Sequence, residues 1–75
     1  GHPSYNYWNV ALWIGNDEGL YNLARECMRE HTPRRKAAEA MLELLKDGRE
    51  HSIPTTPDGA PYTVASLLHA MRGLA

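Results

Sequence analysis

Tyr7-Trp8-Asn9-Val10-Ala11-Leu12-Trp13-Ile14 is the stretch that decides how this chain folds. It holds both tryptophans, and no charge follows it until Asp17. On a helix of about 3.6 residues per turn, Tyr5, Trp8 and Leu12 fall on one stripe. Tyr7, Val10, Ala11 and Ile14 fall on a second, which Trp13 extends. A surface helix in a small domain carries a single apolar stripe, so a helix with two is expected to be nearly enclosed. The rest of the chain must supply the enclosure.

Working outward, Pro3-Ser4 predicts the helix start with Ser4 as N-cap, and Gly15-Asn16 predicts its end. Asn16 or Asp17 then caps a second helix running to about Glu30, with Leu20, Leu23, Ala24, Cys27 and Met28 on one core stripe. Thr32-Pro33 restarts the chain as a cap followed by proline at the first helical position. The third helix carries Ala37, Ala38, Met41, Leu42, Leu44 and Leu45 and stops at Asp47-Gly48. Residues 49–60 form a loop, since Pro54, Pro57 and the Asp58-Gly59 turn forbid a helix; Ile53 is expected to pin it to the core. A fourth helix starts near Pro61 or Thr63, packs Val64, Leu67, Leu68 and Met71, and ends before Gly73. The fold class is all-α, a compact four-helix domain with steeply crossing helices. Residues 1–3 read as a disordered cloning remnant, and residues 4–75 as the single helical domain.

A chain of 75 residues buries only about 60% of its unfolded surface, so its core is thin. The one cysteine, Cys27, excludes an internal disulfide and fits a cytoplasmic location. A formal net charge of -1 argues against a general nucleic-acid binder, and no apolar run approaches the ~20 residues that span a bilayer. His31, His51 and His69 lack ligand spacing, so neither a metal nor any other cofactor is expected. His31 reads as a helix cap and Cys27 as a buried small hydrophobe. With no phosphate loop and no nucleophile elbow, the chain is not expected to be an enzyme.

Two features point outward. Five of the eight Lys and Arg residues, Arg25, Arg29, Arg34, Arg35 and Lys36, lie close together, and three of them open the third helix against its dipole. They are candidates for binding phosphates or an acidic partner. The plainer alternative, a solvated face with Arg25 and Arg29 paired to Glu26 and Glu30 and Arg35 to Glu39, takes precedence because no aromatic interleaves the run. The other feature is aromatic: Trp and Tyr are the usual anchors of protein interfaces. Tyr7, Trp13 and Tyr21 join the basic residues as candidate partner-binding positions, with Trp13 first. Enclosed, Asn9 requires a hydrogen-bond partner.

The run Tyr5-Asn6-Tyr7-Trp8-Asn9-Val10-Ala11-Leu12-Trp13 resembles the opening Tyr-Glu-Thr-Trp-Asn-Val-x-Leu-Trp of a group of small uncharacterised proteins from bacteriophages, prophages and plasmids. Tyr5, Trp8, Asn9, Val10, Leu12 and Trp13 match, whereas Asn6 and Tyr7 replace the usual Glu and Thr. The resemblance implies a mobile-element protein of the bacterial cytoplasm and transfers no catalytic motif. The expected function is therefore a protein-interaction module, an inhibitor or modulator of a host defence complex, with a host protein or a second copy (a homodimer) as partner. The alternative is a nucleic-acid accessory protein holding phosphates through Arg25–Lys36.

Overall fold

The computed structural model describes residues 3–47 and 53–74. It contains helices α1 (Pro3–Asn16), α2 (Glu18–Glu30), α3 (Arg34–Lys46) and α4 (Val64–Leu74), and no strand among the described residues. The chain is an all-α four-helix domain. Each helix packs on its neighbours in a ring, α1 on α2 and α4, and α3 on α2 and α4, with a smaller contact between α2 and α4 across the ring. The Cα radius of gyration is 11.2 Å, about what a compact chain of this length should have.

Local chemistry sets the helix ends. Asp17 caps α2, its carboxylate accepting the Leu20 N–H at 2.9 Å, so the choice left open between Asn16 and Asp17 falls to Asp17. The backbone N–H of His31 closes the other end by donating to the Cys27 carbonyl at 2.9 Å. Asp47 ends α3 in the left-handed region, at φ 51°. Thr63 and Ser66 form a reciprocal cap at the start of α4: the Thr63 N–H donates to Ser66 Oγ, and the Ser66 N–H donates to Thr63 Oγ1.

Three boundaries and one packing contact differ from the sequence expectation. α1 begins at Pro3, placing Ser4 inside the first turn rather than at the cap. Pro33 stands at the N-cap of α3 and makes no side-chain cap bond, so the helix opens at Arg34. α4 runs through Gly73 to Leu74, whose side chain packs against the core. Ile53 does not pin the loop; it is 71% exposed. Gly1, His2, residues 48–52 (and so His51) and Ala75 lie outside the described residues.

The core is built from Val10 and Ile14 of α1, Ala24 and Cys27 of α2, Ala37, Ala38 and Met41 of α3, and Leu67, Ala70 and Met71 of α4, closed by Ala60 and Tyr62 from the loop. Several of these are alanines, which let the helices approach closely but bury little area each. The few large side chains therefore carry a disproportionate share of the stability. Leu67→Ala is expected to cost about 2–5 kcal/mol, measured by denaturant unfolding. A cost below about 1 kcal/mol would show that α4 is not a wall of the core.

Candidate functional site

The loop before α4 is a tight hairpin. Thr55 and Pro61 form an isolated antiparallel bridge. The Thr56 N–H donates to the Ala60 carbonyl and the Tyr62 N–H to the Pro54 carbonyl, each at 2.8 Å. At its tip, Thr56-Pro57-Asp58-Gly59 makes a β-turn closed by the Gly59 N–H on the Thr56 carbonyl at 2.8 Å. Proline presets the first central position, and Gly59, at φ 91°, takes the left-handed conformation that returns the chain.

This hairpin docks on α1 through polar side chains. Asn9 is 1% exposed, and its amide is held on both sides. It accepts from Thr56 Oγ1 at 2.6 Å and donates to Asp58 Oδ2 at 2.9 Å. The same carboxylate oxygen accepts the indole N–H of Trp13 at 3.0 Å. Asn9 and Trp13 stand one turn apart on α1, so a single carboxylate can reach both. The Ala60 N–H in turn donates to Thr56 Oγ1 at 3.1 Å. Among the described residues no buried side-chain polar atom lacks a partner. Hydrogen bonds from Asn9 and Trp13 hold the Asp58 carboxyl below its ordinary pKa, against a smaller opposing effect of desolvation.

That docking decides which side of α1 faces water. Val10 and Ile14 are fully buried, with Tyr7, Ala11 and Trp13 half-buried beside them. The other stripe is open: Tyr5 is 47% exposed, Trp8 56% and Leu12 38%. The two rings lean on each other with centroids 6.0 Å apart. Helix α1 is thus not enclosed, and the surplus aromatic surface belongs to Trp8 and Tyr5 rather than to Tyr7 and Trp13. The hairpin takes Trp13, and the Tyr7 ring lies 5.4 Å from the ring of His69 on α4.

The basic cluster divides. Arg35 and Lys36 share Glu39, each at 3.6 Å, in exposed pairs that contribute little stability. Arg34 is exposed and makes no ion pair among the described residues. Arg25 and Arg29 do not pair with Glu26 and Glu30 within 4.0 Å, contrary to expectation. Adjacent positions on a helix point about 100° apart and do not face each other. The Arg25 guanidinium instead lies over the Tyr21 ring, 5.8 Å from its centroid. With Met28 and Leu74, Arg25 and Arg29 line a groove of about 360 Å³.

The remaining chemistry is quiet. Cys27 is buried, and burial, then the charges of Glu26 and Glu30, push its thiol up, away from the reactive thiolate. Burial, then the charge of Asp17, likewise raises Tyr62. No group of three His, Cys, Asp or Glu among the described residues could hold a metal ion.

Asn9→Ala removes both bonds of a buried amide and strips the Thr56 hydroxyl of its acceptor, so it should destabilise by about 1–3 kcal/mol in denaturant titration. Asp58 has a lowered folded-state pKa, so its contribution is complete above the unfolded value and is lost as pH falls below about 4. Thermal melts at pH 7 and pH 3 should show a smaller acid-induced loss for Asp58→Asn than for the wild type. Equal losses would mean that the carboxylate charge does not hold the hairpin.

Neither a curated protein nor a solved structure matches the chain. One family model does, over residues 1–71, and it spans α1, the hairpin and most of α4 as a unit. The chain belongs to that family, DUF7249, described as a family of unknown function.

Proposed function

We propose that this protein is a binding module without catalytic activity, which docks a protein partner on the exposed face of α1. The observation that carries the reading is the stripe of Tyr5, Trp8 and Leu12, held open to water on a helix that has no charged side chain. Its spacing continues to Gly15, which is exposed and has open space where a Cβ would stand. Residues 5, 8, 12 and 15 repeat at 3-4-3, the spacing of a helix-packing seam, and the glycine lets a partner backbone come close. No charged side chain lies between Pro3 and Asn16, so the face is read by shape and aromatic contact.

Magnitude helps choose the partner. Two half-exposed aromatic rings and a leucine offer on the order of 300 Å² of apolar surface. A two-fold contact between copies would then bury roughly 600 Å², short of the ~1,200 Å² of a stable interface. The stripe suits the anchor of a larger contact with another protein better than a tight homodimer, and self-association through it would be weak. No described helix is long and apolar enough to cross a membrane. Origin from a phage or other mobile element, a place in the bacterial cytoplasm and a host defence complex as target form the specific version of this proposal; its support is the resemblance of the Tyr5–Trp13 run.

Affinity capture from bacterial lysate with wild type, Trp8→Ala and Leu12→Ser baits tests the reading, with circular dichroism confirming that each bait is folded. A partner retained by the wild type and lost from both variants is expected, because anchor residues of this kind lose 2 kcal/mol or more on truncation, roughly thirtyfold in affinity. Capture that is equal for all three would remove α1 as the docking face. In sedimentation, the wild type is expected to be monomeric at micromolar concentration. A tight dimer abolished by Trp8→Ala would replace the foreign partner by a second copy.

A further inference from the structure

The groove between α2 and α4 has the composition of a second, different binding site. Arg25 and Arg29 stand one turn apart on α2 and both line it. Neither pairs with a carboxylate within 4.0 Å among the described residues, although Glu26 and Glu30 are their neighbours in sequence. Tyr21, one turn before Arg25, carries the guanidinium over its ring and limits where it can swing. Both arginines are exposed, so stacking orders the Arg25 head group without burying it. Between them the wall is apolar: Met28 from α2, a side chain that adapts to irregular shapes, and Leu74 from the last turn of α4. The volume of about 360 Å³ is enough for one or two side chains and too small for a folded element.

We propose that this groove receives a short acidic peptide segment of a protein partner, with one apolar side chain against Met28 and Leu74 and carboxylates on Arg25 and Arg29. Charge complementarity selects the occupant. Two guanidiniums without a carboxylate partner among the described residues call for carboxylates, which they engage as paired donors, and the apolar wall between them calls for an aliphatic or aromatic side chain. A nucleic-acid backbone satisfies only the first demand. It also meets a chain of net charge -1, a basic cluster split by Glu39, and a Tyr21 ring already covered by Arg25. The inference rests on reading the chain as a binding module, but it uses none of Tyr5, Trp8 or Leu12, so the two faces can fail separately.

The test uses the whole protein, labelled with ¹⁵N, and titrates eight-residue peptides in which a central apolar residue (Leu, Met, Phe or Trp) is flanked by Asp and Glu. A random-sequence DNA duplex is titrated in parallel. Saturable shifts confined to the amides around Arg25, Met28, Arg29 and Leu74 are expected for at least one peptide. Affinity should fall at least tenfold in Arg25→Glu/Arg29→Glu, fall less in Arg25→Lys/Arg29→Lys, and stay unchanged in Trp8→Ala. Both arginines are exposed, and circular dichroism checks that the variants keep their fold. Three results would overturn the proposal: no peptide binds, binding survives the double Glu variant, or the duplex binds the same residues as strongly as the best peptide. Loss of lysate capture in Trp8→Ala with peptide binding intact would leave both sites standing. The reverse pattern, capture equal in Trp8→Ala while the peptide still binds, would remove the α1 reading alone.

Discussion

One buried amide, that of Asn9, constrains the rest of this molecule. A primary amide closed off from water and left without partners costs several kcal/mol, a large fraction of what a domain of this size has to spare. α1 cannot satisfy it internally, because the helix backbone is already paired. The chain supplies the partners from 47 and 49 residues away, through the Thr56 hydroxyl and the Asp58 carboxylate. The hairpin at residues 54–62 is therefore an integral wall of the domain, and it contributes Ala60 and Tyr62 to the core directly.

The same contact sets the orientation of α1. Once Asn9 and Trp13 are committed to Asp58, the helix has only one rotation about its axis that also buries Val10 and Ile14. That rotation carries Trp8, with Tyr5 and Leu12, to the surface. The cover on the buried side of α1 comes from α2 and α4, the two helices that pack against it. What remains accessible is a pair of surfaces of opposite character: an uncharged aromatic stripe on α1, and a cationic groove with an apolar wall between α2 and α4.

Much of the fold could be read directly from local patterns. Single apolar stripes placed α2, α3 and α4, and cap chemistry located their ends to within a few residues, since both signals depend only on neighbours in sequence. α1 was harder for a specific reason. Two apolar stripes indicate how much surface a helix would bury, but not which stripe the chain has enough material to cover. That was decided by Asn9, whose need for a partner was evident while the partners were not, because Thr56 and Asp58 look like ordinary turn residues until the hairpin folds back. Trp13 reads as the more outward of the two tryptophans for the same reason: nothing near it in sequence announces a carboxylate acceptor. Ile53 misled in the opposite direction, since an isolated apolar residue in a loop has no periodic pattern to show whether it points inward. In the basic cluster, sequence spacing located Arg35 with Glu39 but overestimated pairing between adjacent Arg and Glu, whose side chains leave the helix in different directions.

The hairpin is docked on α1 through Asn9, Asp58 and Trp13, and this docking leaves Trp8 in water. Hydrogen exchange followed by NMR at neutral pH tests it most directly, because the two indole N–H groups and the hairpin amides report on it together. The amides of Thr56 and Ala60 are expected to exchange slowly, and the Trp13 indole N–H more slowly than that of Trp8, which should exchange at close to the rate of a free indole. Equal, fast exchange of both indoles, with Thr56 and Ala60 unprotected in an otherwise protected helical domain, would contradict it.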